Sequence, residues 1–391
     1  MNEWNETILS EVLVDKGYIR GPFGSALKRG DMKEDGIPVY EQQHAIYNSR
    51  EFRYYIDEQK FNEMKRFQVR KDDLIISCSG TVGKVSIIKD DDPNGIISQA
   101  LLLLRVDTDK VLPLYLKYFF SSKVGYNAIV SRSSGSVQVN IAKRNVIEQI
   151  PIRLPQLETQ RKIVGVLNSI DEKIKENEKI NNNLEQQAKA IYQQMFIENA
   201  NPKWSEGTLS DIADITMGQS PSGSSYNEDG TGTIFFQGRA EFGFRFPTVR
   251  LFTTEPKRMA CANDTLMSVR APVGDLNVAH TDCCIDRGLA AIHSKNNHQS
   301  FVLYTMFFLK KQLDVFNAEG TVFGSINRKA LNDMPILIPN IEHIKEFEKI
   351  VAPMDATICN NYDEICRLQE IRDSLLPRLM SGEIDVSDIE F

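Results

Sequence analysis

Six cysteines and five histidines are few for 391 residues, and neither type is placed for metal or redox chemistry. Cys78, Cys261, Cys283, Cys284, Cys359 and Cys366 form no C-x-x-C pair, and His44, His280, His293, His298 and His343 do not bracket them at zinc-finger spacing. Reduced thiols and no bound metal are expected. Long apolar runs are missing too. "ALLLLRV" and "YLKYFF" fall short of a bilayer span, and the first thirty residues lack the basic, apolar and small-residue succession of an export signal. A cytoplasmic protein without membrane contact is expected. Catalytic constellations are also absent. "GTVGKVS" from Gly80 resembles a phosphate loop, but Lys84 precedes Val85 where Ser or Thr is needed. No dinucleotide fingerprint, [DNS]-P-P-[YFW] methylation motif, G-x-S-x-G elbow or H-E-x-x-H helix occurs. Asp72-Asp73 and Asp90 to Asp92 sit at turn positions and read as solvated loops. The chain reads as a binding protein with no catalytic site.

What is present is a duplication. "SRSSGSVQVNIAKRNVIEQIPIRLP" at 131–155 has a weaker copy, "NAEGTVFGSINRKALNDMPILIP", at 317–339. The remainder follows in the same order. "WNETILSEV" answers "WSEGTLSDI", and the Gly/Ser-rich loops from Gly21 and Gly218 follow. Then come "IPVYEQQH" and "IFFQGR", "DDLIISCSGTVGKVSII" and "NDTLMSVRAPVGDLNVA", and "GIISQALLLL" and "CCIDRGLAAI". Such a long period marks duplicated domains and not a solenoid. Short apolar strands alternating with turn-rich loops and few helices predict a mixed α/β (α+β) fold in each copy. The strands agree between copies better than the loops do, as expected of one scaffold presenting two surfaces.

After each copy comes a segment rich in helix formers. Ile163, Leu167, Ile170, Ile174, Leu184, Ala188, Ile191 and Met195 recur in a 4-3 cadence whose two missing members are Asn177 and Asn181. Ile344, Phe347, Val351, Met354, Ile358, Asn361, Ile365, Leu368, Arg372, Leu375 and Leu379 repeat it. Helices of about 40 residues reach roughly 60 Å, too long for either stripe to be covered by its own domain. They are expected to pair as an antiparallel intramolecular coiled coil related by a pseudo-two-fold axis, with Asn177 facing Asn361 in the seam. Pro353 implies a kink or a helix that starts there. The resulting division is 1–155 and 200–340 for the two domains, with the first helix in 156–199 and the second helix and a C-terminal tail in 341–391.

The formal charge of -7 conceals a distribution. No acid lies between Asp109 and Glu148, where Lys110, Lys117, Lys123, Arg132, Lys143 and Arg144 are found, and Arg287, Lys295, Lys310 and Lys311 form a weaker counterpart. Basic stretches in both copies suit a polyanionic partner.

"GPFGSALK", "SGTVGKVSI" and "SGSVQVNI" in the first copy, "SVRAPVGDLNVA", "CCIDRGLAAI" and "FGSINRKAL" in the second, and "LLPRLMSGEI" near the C-terminus carry a resemblance. In this order, twice over, they resemble the specificity subunits of type I restriction-modification systems along the whole chain. The resemblance implies a non-catalytic subunit whose two target-recognition domains each read half of a bipartite, asymmetric double-stranded DNA site. It implies helices that set the spacer and dock two methyltransferase (modification) subunits, with restriction/translocase subunits joining them. S-adenosylmethionine, ATP and Mg would be held by those partners and no cofactor by this chain. By side-chain type, Arg suits guanine and Asn or Gln suits adenine, while Lys, Arg and Ser hold phosphates. The candidates in the first copy are Ser25, Lys28, Arg29, Gln42, Gln43, His44, Ser79, Thr81, Lys84, Arg132, Ser134, Ser136, Gln138 and Asn140. In the second they are Gln219, Ser222, Ser224, Tyr226, Gln237, Arg239, Arg245, Arg270, Arg287, Thr321, Ser325, Asn327 and Arg328. For Arg270 and Arg287 the alternative is an internal salt bridge with Asp264 or Asp286. A coiled-coil adapter for proteins, and a self-contained modification or restriction enzyme, stay open as other readings. The adapter predicts no salt-dependent DNA binding, and the enzyme predicts cofactor binding by the chain alone.

Overall fold

A computed structural model describes residues 4–23, 26–133, 139–317 and 324–389. The chain divides into two compact units, Met1–Lys175 with Cys366–Phe391, and Glu176–Ile365. Both long helices contribute to both units.

In the first unit a four-stranded antiparallel sheet has the order Leu13–Arg20, Leu101–Val106, Leu74–Ser77, Val85–Ile87. "LII" and "LLLL" are apolar at every position, with Ser77 buried at the strand end, because both faces of this sheet are covered. Leu74, Ile76, Leu102 and Leu104 face Tyr115, Leu116, Phe119 and Phe120 of the neighbouring helix Pro113–Ser121. Ile75, Leu101 and Leu103 point the other way, toward Tyr40 and Ile97, as the two-residue period of a strand requires. Tyr40 and Ile97 belong to a second sheet, in which Ile37–Tyr40 pairs in parallel with Ile96–Ile97 and antiparallel with Tyr55–Ile56.

The second unit repeats the plan. Its four-stranded sheet runs Ala213–Met217, Leu289–Ser294, Thr265–Ser268, Leu276–Val278, and Thr233–Phe236 pairs in parallel with Cys283–Ile285 in a five-stranded sheet. In each unit a two-stranded ribbon sets the start of the repeat beside its end: Asn5 opposite Leu154, and Ser205 opposite Ile338. One equivalent pair of glycines, Gly21 and Gly218, is enforced in both units by close approach. A Cβ on Gly21 would lie 2.0 Å from the Ser98 carbonyl oxygen, and one on Gly218 would lie 2.1 Å from that of Asp286. These two glycines open the loops aligned in the sequence.

The first long helix spans Leu157–Tyr192 and passes into a π-helical turn, Gln193–Glu198. The second spans Ile341–Ser381 without a break. It does not start at Pro353, which lies exposed within it. The missing N–H leaves one helical carbonyl without its usual donor, and on a solvated face water can supply the bond.

Within each unit the two helices run antiparallel. In the first, Ile163 and Leu167 pack with Leu375, Leu376, Leu379 and Met380, and Asp171 pairs with Arg372 at 3.2 Å. In the second, Leu184, Ala188 and Ile191 join Ile344, Phe347, Val351, Met354 and Ile358. Ile170, Ile174, Ile365 and Leu368 are buried or half-buried as the cadence requires. The asparagine register differs from expectation by one turn. Asn177 Nδ2 donates to Glu364 Oε2 at 2.7 Å and Asn361 Nδ2 donates to Asn181 Oδ1 at 2.8 Å. Asn177 therefore does not meet Asn361; each amide instead meets a residue one helical turn from the other amide, because that register lets the apolar seam positions on either side interdigitate. Among the described residues no helix is long and apolar enough to cross a membrane.

Candidate nucleic-acid interface

The repeated stretch that opened the duplication has a common structural role. After the strand Leu74–Ser77, the loop 78–84 is joined to 139–141 by backbone hydrogen bonds, Gly80 N to Val139 O and Ile141 N to Cys78 O, both 2.9 Å. In the second unit the loop after Thr265–Ser268 is joined to 324–326 in the same pattern, Ala271 N to Gly324 O at 2.8 Å and Ile326 N to Val269 O at 3.1 Å. The turn inside each loop is also shared. Gly83 and Gly274 have φ of +87° and +86°, values that favour glycine. Their N–H groups donate to Ser77 O and Ser268 O, both at 2.9 Å. The hydroxyls of the same serines accept from Lys84 N and Asp275 N, both at 3.0 Å. The backbone is one design, but the side chains it displays are different. Ser79, Gly80, Thr81 and Lys84 stand where the second unit has Arg270, Ala271, Pro272 and Asp275.

In the first unit the loop gathers Gln42, Ser79 and Asn140. Gln42 Oε1 accepts from Ser79 N at 3.1 Å, and Ser79 Oγ donates to Asn140 Oδ1 at 2.8 Å. Thr81 and Lys84 are exposed beside them, with the Lys84 ammonium 5.0 Å from the Tyr126 ring centroid. In the second unit Gln237, Arg239, Arg270 and Arg287 line one recess of about 270 Å³ together with Asp286. Arg239 pairs with Asp275. Among the described residues Arg270 and Arg287 have no ion-pair partner, and both are exposed. The salt bridges weighed for them do not form. Asp264 is taken by His293 Nδ1 at 2.5 Å and by the Cys261 N–H at 2.8 Å, while Asp286 accepts from the Ser220 hydroxyl.

Two candidates are corrected. His44 is fully buried. Its Nδ1 accepts from Glu41 N at 2.7 Å, its Nε2 lies 3.0 Å from Glu51 O, and its ring stacks on Phe52. Burial holds this imidazole below its ordinary pKa, so it is a neutral core group. Arg245 is buried in an ionic cluster: Nη2 donates to Asp355 Oδ1 at 2.9 Å and to the Tyr304 hydroxyl at 3.0 Å, and Glu185 lies 3.7 Å away.

Others have local duties. Gln43 Nε2 donates to Glu51 O, Arg132 Nη1 donates to Ala128 O at a helix end, and Tyr226 OH donates to Pro221 O. Asn327 caps the helix Arg328–Asn332 by accepting from Ala330 N at 2.9 Å. Lys28, Arg29, Gln219, Ser222, Ser224, Ser325 and Arg328 are exposed, Ser325 being bridged to Arg270 through the backbone. Ser25, Ser134, Ser136, Gln138 and Thr321 lie outside the described residues. The basic run of the first unit is partly neutralised, since Lys110 pairs with Asp107, Lys117 with Asp171 and Arg144 with Glu148.

The sequence reading missed the pairs that seat each domain on a long helix. Tyr118 OH donates to Asp171 Oδ2 at 2.8 Å, and Tyr304 OH donates to Asp355 Oδ1 at 3.0 Å. Asp171 and Asp355 follow equivalent seam positions, Ile170 and Met354, which was the available signal. Burial is the largest influence on both carboxyls. At Asp355 it prevails and raises the pKa. At Asp171 the attraction of Lys117, with hydrogen bonds from Tyr118, Lys117 and Arg372, outweighs it and the pKa is lowered.

Comparison with known proteins accords with this architecture. The family model described as the type I restriction modification DNA specificity domain matches twice, at residues 21–186 and 201–365. A Methanocaldococcus jannaschii protein described as a type I restriction enzyme MjaX specificity subunit is 30% identical over 85% of this chain and 83% of its own length. The HindI specificity subunit of Haemophilus influenzae is 21% identical, covering 81% and 87%. The crystal structure of a type I restriction-modification S subunit from M. genitalium shares the fold, with a TM-score of 0.62 at 16% identity over 96% of both chains. Two successive family matches, each taking in one of the shared loop pairs, place this chain in the type I restriction-modification DNA specificity family.

Proposed function

We propose that this chain is the non-catalytic specificity subunit of a type I complex, and that each unit reads one half of a bipartite, asymmetric DNA site. The observation that carries the reading is the pair of loops with one backbone and two sets of side chains. In the first unit Gln42, Ser79, Thr81, Lys84 and Asn140 supply amides, hydroxyls and one ammonium. In the second, Gln237, Arg239, Arg270 and Arg287 surround one recess. Arginine forks suit guanine O6 and N7, and amides suit adenine N6 and N7, so the two half-sites differ.

The paired helices act as the spacer, and their outer faces dock two modification subunits, through which restriction/translocase subunits join. S-adenosylmethionine, ATP and Mg belong to those partners. Readers on one face of B-DNA require half-sites about 34–36 Å apart, or a multiple of that. The test is base-modification sequencing of the host with and without the gene. Loss of N6-methyladenine from one split, asymmetric motif is the expected result. Unchanged methylation while the modification subunits are expressed, together with no salt-dependent duplex binding by the assembled complex, would overturn the proposal in favour of a protein adapter.

A further inference from the structure

His280 is distant in sequence from Cys359 and Asp363, yet the three converge in the second unit. Cys359 and Asp363 stand one turn apart on the second long helix, a spacing that sets two side chains on one face. His280 comes from the segment after the strand Leu276–Val278, and its Nε2 lies 2.8 Å from Asp363 Oδ1. One ligand atom from each of the three lies within 4.8 Å of the other two. All three residues are half-buried. The imidazole is held between two rings, with centroids 5.1 Å away at Phe246 and 5.2 Å away at Tyr362.

An ion pair would need only the histidine and the carboxylate; the thiol adds a third donor of a different kind. Sulfur, imidazole nitrogen and carboxylate oxygen together suit zinc-class ions and not calcium or magnesium, which take oxygen. Bonds of about 2.0–2.3 Å in a tetrahedral site put donors roughly 3.3–3.8 Å apart, a spacing that side-chain rotation reaches from the present one. Thiolate and carboxylate would balance the two charges of the ion, and three protein ligands leave a fourth position for water. Cys359 also lines a cavity of about 300 Å³ with Arg245, Phe246 and Asp355.

At the equivalent positions the first repeat has no such donor set. Lys175 and Lys179 occupy the positions equivalent to Cys359 and Asp363, and the corresponding loop reaches the first long helix through the ion pair Lys89–Glu172 at 3.4 Å. The same loop-to-helix junction thus carries different chemistry in each repeat. The geometry points to a zinc-class metal site made by His280 Nε2, Cys359 Sγ and the Asp363 carboxylate, fastening a recognition-domain loop to the second long helix.

The test is a cobalt titration of the reduced, chelator-treated full chain. The expected result is a near-ultraviolet thiolate-to-cobalt band that saturates at one ion per chain and disappears when zinc is added. Cys359→Ser should abolish the band, His280→Gln and Asp363→Asn should weaken cobalt binding, and Cys261→Ser, at an exposed thiol elsewhere, should leave the band intact. No band on the unaltered chain, or a band that survives Cys359→Ser, would overturn the site. Should Cys359→Ser fail to fold, X-ray absorption of the cobalt-loaded unaltered chain decides instead. One sulfur in the first shell supports the site, and a shell of nitrogen and oxygen alone sinks it.

Discussion

Arg245 and Arg270 are the same residue type in the same repeat, with opposite surroundings. Arg245 is enclosed with Asp355, Glu185 and Tyr304, and removing one member of a buried ionic cluster leaves the others uncompensated. Arg245→Ala should therefore cost about 3–5 kcal/mol in a urea unfolding experiment. Arg270→Ala, at an exposed position, should stay within about 0.5 kcal/mol and instead weaken DNA binding by the assembled complex. Glycine offers a second contrast. Gly218→Ala forces a Cβ against the Asp286 carbonyl, whereas a Cβ on Gly223 meets nothing within 4 Å. The first change should cost about 1–3 kcal/mol, and the second should leave the melting temperature unmoved. At this scale the sequence could not separate exposed side chains from packed ones. His44 and Gln42 are two residues apart in "EQQH", yet one is core and the other touches the loop at Ser79.

The long helices were legible as elements because a 4-3 apolar cadence persists through both, and every seam position is buried or half-buried. Their fine register was not legible, since Asn177 meets Glu364 and Asn361 meets Asn181. Amides can satisfy themselves with several partners, and the packing of the apolar side chains selects which. The Asp171 contacts with Lys117, Tyr118 and Arg372 give this level a pH signature. Because the folded carboxyl has a lowered pKa, its stabilisation is fully present above the unfolded value of about 3.9 and is lost as pH falls through the lower folded value. Asp171→Asn should therefore lower the melting temperature near neutral pH. The gap to the unaltered chain should close at pH values below the folded pKa. A gap that stays constant down to acid denaturation would rule out this role.

For the molecule as a whole, the duplication predicts separable specificities. Each unit carries its own loop pair on its own sheet, so Arg270→Ala or Arg287→Ala should relax one half of the methylated motif and leave the other half unchanged. Lys84→Ala should act on the opposite half only, with base-modification sequencing as the readout. Relaxation of both halves by one substitution would contradict independent reading. The sequence by itself determined the duplication, the α/β character of each copy and the two paired helices, because these follow from periodic burial, which is local and repeats along the chain. Tertiary structure alone decided that three guanidinium groups share one recess, that Arg245 and His44 are sealed away, and that His280 meets Cys359 and Asp363. Each of those is a meeting of residues distant in sequence, or a matter of solvent access. Both are set by how strands and helices pack, and no spacing along the chain encodes them.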